Sequence, residues 1–511
     1  MSLARVNCAT VVGLDPFPVT VEVAVEEKGF PSFTIVGLPS REIDEAKERV
    51  RAAIQNAGAE FPDHRIVVNL APADLPKKGS AFDVAIAIGI LAASDQGISC
   101  DLSKKLFLGE LSLDGSLRPA FGVLPISLYA RGAGLSHMYV PKENAKESAV
   151  VKDIHTISVS GIGDLIEHLE GRKLLYREDY LDFEEMLGAT EEYDADFSDV
   201  MGQEKAKRAL EIASSGGHNV ALSGPPGSGK TMLARALPSI LPRLTLDEAL
   251  EVTKVYSVTG NLNSKTPLVY ARPFRSPHHT ISRVGLIGGG STITPGEISL
   301  AHRGVLFLDE FPELSRNVLE SLRQPLEDGF VTISRASGTL TFPSRFILVV
   351  ASNPCPCGNL GRQKVSCVCS PSQIRNYKRR VSGPIWDRID IHVDVPLVDA
   401  EELTKRKNTG AVSSKEIRNR VQKARDLQKA RFIGTKIVCN ADMATKDIKN
   451  LSQITNGALD ILKMAVGNFG LSARSYFKTL KVAQTIADLA DSKEILPAHV
   501  SEALSFRLKA D

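Results

Sequence analysis

The chain has no apolar run long enough to span a bilayer. Its longest nearly uncharged stretch, VAIAIGILAA at 84–93, is half of what a membrane helix requires. The start, MSLARVNCATVVGLDPF, lacks the basic-then-apolar pattern of a secretory signal. Together these absences predict a cytosolic protein with no membrane partner. No charge of one sign dominates either, because 62 Lys and Arg face 60 Asp and Glu, so an acidic partner has to be sought in local clusters. Cysteines are few and odd in number, and four of the seven fall within fifteen residues. That excludes a disulfide framework and points to reduced thiols or a metal. Internal repeats and low-complexity tracts are absent. With 43% apolar and 24% charged residues, disorder, collagen and coiled coil are excluded, and 511 residues at about 150 per domain predict three domains.

Residues 1–170 read as a mixed α/β domain, with strand-like runs (VTVEVAV, SFTIVGL, RIVVNL, HMYVP) alternating with helical patterns. A linker is expected at 171–199, because 178–199 holds ten acidic residues and no basic one, the composition of a solvated connector. A second α/β block follows at 200–396, with strands at NVALSG, GVLFLDE, FILVVASN and IDIHVDV. Residues 397–511 show apolar positions at helical spacing and read as all-helical.

The strongest motif is GPPGSGKT: Gly224, Pro225, Pro226, Gly227, Ser228, Gly229, Lys230 and Thr231, between a strand and a helix. Glycines there let successive backbone N–H groups point inward around phosphates. Lys230 is expected to reach the β- and γ-phosphates, and the Thr231 hydroxyl to bind Mg²⁺. Seventy-nine residues beyond Lys230, GVLFLDE delivers Asp309 and Glu310 at the end of a buried strand, where an α/β sheet places ligands. Asp309 is expected to hold Mg²⁺ through water and Glu310 to polarise the attacking water. Asn353, ending FILVVASN, can orient that water. Arg388 in SGPIWDRID can stabilise transition-state charge on phosphate, in its own subunit or a neighbour's, although an arginine there also suits a surface ion pair.

Cys355, Cys357, Cys367 and Cys369 form C-x-C-x₉-C-x-C, two paired loops of the kind that present four thiolates to a structural Zn²⁺. The commoner pair spacing is C-x₂-C, so four unliganded thiols remain the alternative. His278 and His279 are expected to be structural. FVTISRASGTLTFPSRF reads as a β-hairpin. Residues 331–390 carry nine Lys or Arg against two acidic residues, a local excess that suits a phosphate backbone, although Lys378, Arg379 and Arg380 also suit a solvated face.

The ordered series FSDVMGQEKAKRALEIA, GPPGSGKT, PFRSPHHTIS, GEISLAHRGVLFLDE, ASNPCPCG, SGPIWDRID and SARSYFKTLKVAQTIADL resembles the magnesium-chelatase-like AAA+ ATPases of the competence protein ComM type (the YifB family), over essentially the whole chain. The resemblance implies an AAA+ P-loop α/β core with a C-terminal helical lid, assembled as a hexameric ring with ATP at subunit interfaces. It implies an ATP- and Mg²⁺-dependent DNA helicase or branch-migration motor that acts on single-stranded or branched DNA and supports recombination during natural transformation. It also implies that Arg388 is the arginine finger, that Arg474 is the second-sensor arginine, and that Val200 lies in the segment lining the adenine pocket. Residues 284–301 are its expected helix-2 insert, and the hairpin its pre-sensor hairpin. Arg335, beside the hairpin tip, is the candidate phosphate contact to DNA, although an exposed strand arginine without that role also suits the position. Residues 30–134 resemble the proteolytic domain of Lon, a fold shared with ribosomal protein S5 domain 2. Ser80 lies one position off the nucleophile's place and Leu124 stands where the lysine belongs, so a protease is not expected. Lys77 and Lys78 are candidate DNA contacts. A chelatase-like remodelling subunit acting on a protein partner is the alternative function.

Overall fold

In the computed structural model the chain divides into two units, Met1–Thr190 with Leu246–Tyr270, and Glu191–Thr245 with Ala271–Asp511. The structure describes residues 2–26, 30–37, 41–73, 77, 79–98, 100–187, 193, 195–263, 266–290, 293–335, 338–362, 365–398, 412–469 and 471–507. Among them no helix is long and apolar enough to cross a membrane.

The strands of the first unit are β1 (Ser2–Val12), β2 (Asp15–Glu26), β3 (Ser32–Val36), β4 (Arg65–Ala71), β5 (Lys105–Phe107), β6 (Glu110–Leu111), β7 (Leu117–Arg118), β8 (His137–Pro141) and β9 (His155–Val159). Seven of them form a mixed sheet in the order β3-β4-β2-β1-β5-β8-β9. β1 and β2 are antiparallel and close through a two-residue turn in which Gly13 takes a φ of 68°. The apolar run at 84–93 is the core helix Asp83–Ala93, buried at nearly every position. Gly89 lets it approach the sheet, since a Cβ there would lie 2.5 Å from Val23 Cγ2.

The block expected to be contiguous over 200–396 is interrupted, because Leu246–Tyr270 belongs to the first unit. The helix Leu246–Val258 buries Ala249, Val252 and Val255. Ser257 Oγ donates to the buried Glu147 carboxylate at 2.5 Å, and Glu147 also accepts from Leu124 N–H at 2.8 Å and Asn144 Nδ2 at 3.1 Å. Burial pushes the Glu147 carboxyl above its ordinary range, which these donors oppose.

The acidic linker is also shorter than expected. Its first part folds into the first unit, where Glu178 N–H donates to Thr156 O and Phe183 is buried. Its last part folds into the second, where Phe197 is fully buried and the Asp196 carboxylate accepts from Ser198 and Ser414 N–H. Acidity alone did not decide the matter, because Phe183 and Phe197 supply apolar anchors.

In the second unit, β10 (Val220–Ser223), β11 (Phe274–Arg275), β12 (Gly288–Gly289), β13 (Thr294–Pro295), β14 (Val305–Leu308), β15 (Phe330–Arg335), β16 (Gly338–Pro343), β17 (Ile347–Ser352) and β18 (Ile391–Asp394) appear in turn. An all-parallel sheet runs β11-β14-β17-β10-β18. β14 and β17 are buried throughout, as their unbroken apolar sequences require of strands covered on both faces. β15 and β16 form the expected hairpin with Arg335 opposite Gly338, and β12 and β13 form a small ribbon within 284–301. The chain from Ser414 onward is mainly helical, its longest helices Ser414–Arg431 and Ala473–Leu489. The second of these is tied to the sheet by the largely buried ion pair of Lys478 with Asp390, 2.8 Å. Burial raises the Asp390 carboxyl, but Lys478 and His218 overcome this and hold it far below the carboxylate range.

Candidate active site

Parallel β10, β14 and β17 deliver their following residues to one edge of the sheet. The loop after β10 is anchored first: Gly224 N–H donates to Ser352 O at 3.1 Å, and a Cβ on Gly224 would lie 2.1 Å from Val395 O. Gly227 and Gly229 have open space around them but φ of +78° and +92°, so backbone conformation selects glycine there. Lys230 is buried, and its Nζ donates to the carbonyls of Gly224 and Pro225 at 2.7 and 2.9 Å. Burial pulls its pKa down and the Asp309 charge resists.

The expected partners converge on this loop. Thr231 Oγ1 donates to Asp309 Oδ2 at 2.9 Å, and Lys230 Nζ lies 3.4 Å from Asn353 Oδ1. Glu310 N–H donates to Asp309 Oδ1 at 2.8 Å, and Glu310 has a left-handed φ of 50°. Its carboxylate is held by His279 Nδ1 at 3.1 Å. His279 follows β11 and lies against His278, with ring centroids 4.1 Å apart and the rings tilted by 34°. The sequence gives no spacing signal for this pair. Val200 is buried in the second unit's core. Nearby, Gln203 takes a φ of 59° and donates to Ser228 O at 3.2 Å and Pro396 O at 2.6 Å, bridging the phosphate loop to the chain after β18.

Arg388 and Arg474 lie together on a different group. Both pair with Glu327, Arg388 through Nη2 and Arg474 through Nη2 at 2.9 Å, and together they hold the Glu327 carboxyl below its ordinary value, Arg388 most strongly. Arg388 also donates to Pro384 O at 2.6 Å, and its carbonyl accepts from Asn219 Nδ2 at 3.1 Å. Glu327 had no signal in the sequence, since it stands 61 and 147 residues from its partners.

The four cysteines converge. The Cys355, Cys357, Cys367 and Cys369 sulfurs all lie within 4.8 Å of one another, with Cys355–Cys357 at 3.4 Å and Cys367 at 3.6 Å from both. Backbone groups of Asn359 and Val368 at the Cys357 sulfur hold that thiol below its ordinary range, whereas the Cys367 and Cys369 thiols beside it are held above theirs.

Of the candidate DNA contacts, Arg335 is exposed at the end of β15, and a Cβ on Gly289 of β12 would lie 3.4 Å from its Nη2. The hairpin and the ribbon therefore meet at Arg335. Lys77 departs from its expected exposure: it is buried and its ammonium donates to Pro72 O, so it offers no surface charge to a phosphate. Lys78 lies outside the described residues. Arg380 pairs with Glu313 and covers the Tyr377 ring, which removes it from the free basic face.

This geometry agrees with what the chain resembles. Three family models match in succession: subunit ChlI of Mg-chelatase over 21–144, magnesium chelatase subunit ChlI over 196–403, and the ChlI C-terminal region over 411–507. Competence protein ComM of Haemophilus influenzae is 43% identical over 509 residues, 99% of this chain and 98% of that protein. Protein YifB of Escherichia coli is 40% identical over 507 residues, 99% of this chain and 97% of its own length. Magnesium-chelatase subunit ChlI of Euglena gracilis is 27% identical over 183 residues, 31% of this chain and 52% of that protein. A glycine-rich loop, an Asp-Glu strand end and a polar strand end on one parallel sheet, in a chain aligned over 99% of its length with ComM and YifB, place this protein in the magnesium-chelatase-like AAA+ family of the ComM and YifB type.

Proposed function

We propose that the protein is an ATP-driven, ring-forming DNA motor with helicase or branch-migration activity that serves recombination of incoming DNA. The observation that carries this reading is the convergence of Lys230, Thr231, Asp309 and Asn353 on one loop. The Thr231 hydroxyl and Asp309 carboxylate form a hard oxygen donor pair that suits Mg²⁺, which when bound neutralises charge on the β- and γ-phosphates. Lys230 exchanges its two carbonyl partners for phosphate oxygens and keeps those oxygens aligned. Glu310 takes a proton from the water whose oxygen attacks the γ-phosphorus, as the bond to the β–γ bridging oxygen breaks and ADP leaves. Asn353 orients that water. In a hexamer, Arg388 exchanges Glu327 for the neighbouring subunit's nucleotide, while Arg474, on the helical lid, turns to its own.

DNA as the substrate is supported by full-length similarity to a competence protein and by exposed Arg335 at the junction of hairpin and ribbon. The first unit is read as a Lon-like domain without proteolysis: Leu124 is buried where the lysine belongs, and the Ser80 hydroxyl is bonded to Glu110. The four cysteines are read as the ligands of a structural Zn²⁺. The family-model matches favour a second reading, a remodelling subunit acting on a protein partner. Displacement of the labelled strand from a forked or four-way DNA substrate decides between the two. Strand displacement that needs ATP and disappears in Lys230→Ala supports the motor, and ATP hydrolysis with neither DNA binding nor displacement favours the remodeller.

A further inference from the structure

The turn that carries Cys355 and Cys357 is seated against the loop 224–231 through Gly358 and Pro226. Cys355 and Cys357 follow Asn353 by two and four residues. Gly358, next in the chain, closes a turn by donating to Cys355 O at 2.9 Å and takes a φ of +76°. A Cβ on Gly358 would lie 2.5 Å from Pro226 Cδ and 2.7 Å from its Cγ, so the turn is seated on the loop that carries Lys230. At the other end, Cys369 directly precedes Ser370, the N-cap of the helix Pro371–Arg379, whose capping box is complete. Tyr377 on that helix is buried, its phenol beside the Asn353 backbone. The second cysteine pair thus fixes the start of an element that packs back on the sensor strand's end.

Between β17 and that helix the described residues form neither helix nor strand. Among its described residues only Cys355 and Gly358 are buried, and a loop of this length with so little packing of its own needs a staple to hold one shape. The sulfurs supply the geometry for one: tetrahedral Zn–S bonds of about 2.3 Å put sulfurs roughly 3.8 Å apart. The separations of 3.4 and 3.6 Å are close to that and far beyond a disulfide bond. Leu360 N–H donates to Cys355 Sγ at 3.4 Å, which holds that sulfur in the turn.

We propose that this tetrathiolate metal knuckle is a strut that sets the phosphate loop, through Gly358 against Pro226, relative to Asn353, so that nucleotide affinity depends on metal occupancy. The inference rests on reading residues 224–231 as the nucleotide loop. With four protein ligands the metal has no open position, so its part is structural coupling.

The test uses the full chain purified without chelator, and reads metal and nucleotide separately. Elemental analysis should give about one zinc per chain, and Co²⁺ substitution the visible absorption of tetrahedral thiolate. Less than about half an equivalent overturns the site. Stripping zinc with a thiol-directed mercurial, followed by thiol and zinc re-addition, should weaken and then restore binding of a fluorescent ATP analogue, by about tenfold. Cys357→Ser and Cys369→Ser should lose both metal and affinity. Gly358→Ala keeps all four ligands and should hold zinc yet bind the analogue about fivefold more weakly, with its circular dichroism unchanged. Wild-type affinity in both stripped protein and Gly358→Ala overturns the coupling. Zinc-loaded wild type that binds no more nucleotide than Lys230→Ala overturns the nucleotide reading, and the coupling with it, and leaves the metal site standing.

Discussion

Replacing His279 with alanine should raise ATP hydrolysis in the absence of DNA. Glu310 is tethered to His279 Nδ1 at 3.1 Å, and the His279 and Glu310 side chains are 37% and 51% exposed. His279 belongs to the loop following β11, the edge strand beside β14, whereas Asn353 ends β17 on the opposite side of β14. The tether therefore draws the carboxylate toward the sheet edge, away from the Asn353 and Lys230 side, where the proposed mechanism puts the attacking water. An ion pair this exposed is worth about 0–1 kcal/mol, which at the upper limit favours the tethered position about fivefold. Removing the imidazole then raises the DNA-independent kcat by at most about sixfold, because the untethered fraction grows from roughly one sixth to one. KM for ATP should hold steady, since neither side chain bonds to the phosphate loop among the described residues. Steady-state phosphate release without DNA measures both constants. A fall in kcat would refute the reasoning and make His279 a group that supports the reaction, and a change confined to KM would place it in binding.

Three further outcomes follow from the packing. Lys478→Met leaves the buried Asp390 carboxylate with His218 and the Asn219 amide as its close partners among the described residues and the Lys481 charge farther off, and should cost about 3–5 kcal/mol in denaturant unfolding, with part recovered by adding Asp390→Asn. Burial, with Lys478 nearby, holds the His392 imidazole down at about 4. Its unfolded counterpart takes up a proton near pH 6.5, so stability should fall by about 2–3 kcal/mol as pH drops from 6.5 to 4, and His392→Gln should flatten that slope. Arg335→Ala should weaken DNA binding across sequences alike and reduce the slope of log affinity against log salt by about 0.7–0.9, whereas an unchanged slope removes Arg335 from the interface.

The glycine-rich loop 224–231 and its strands were legible because each rests on local chemistry: apolar strands of four to six residues in the core of the sheet, and glycines whose φ or packing admits no side chain. The hairpin with Arg335 opposite Gly338 and the meeting of four cysteines were legible for the same reason, alternation in one case and paired thiols in the other. What escaped depends on long-range packing. The helix Leu246–Val258 has an ordinary helical pattern, and its place in the first unit shows only in long-range contacts, Ser257 Oγ with Glu147, 110 residues away, and Gly122 N–H with Ser257 O. Glu327 collects two arginines that sequence order separates from it and from each other. Lys77 looked like a surface charge, but the Pro72 carbonyl gives its ammonium an internal partner. His279 read as a structural histidine, and its contact with Glu310 appears only once β11 lies beside β14.

The most direct test of the proposed motor is steady-state ATP hydrolysis with and without single-stranded and forked DNA, at low salt, using wild type, Lys230→Ala and Glu310→Gln. The expected result is hydrolysis stimulated by DNA in the wild type, abolished in Lys230→Ala, and lost in Glu310→Gln while that variant still binds ATP. Wild-type hydrolysis that ignores DNA, in a protein that binds neither substrate, would contradict a DNA motor, and undiminished turnover in Glu310→Gln would remove Glu310 from the reaction.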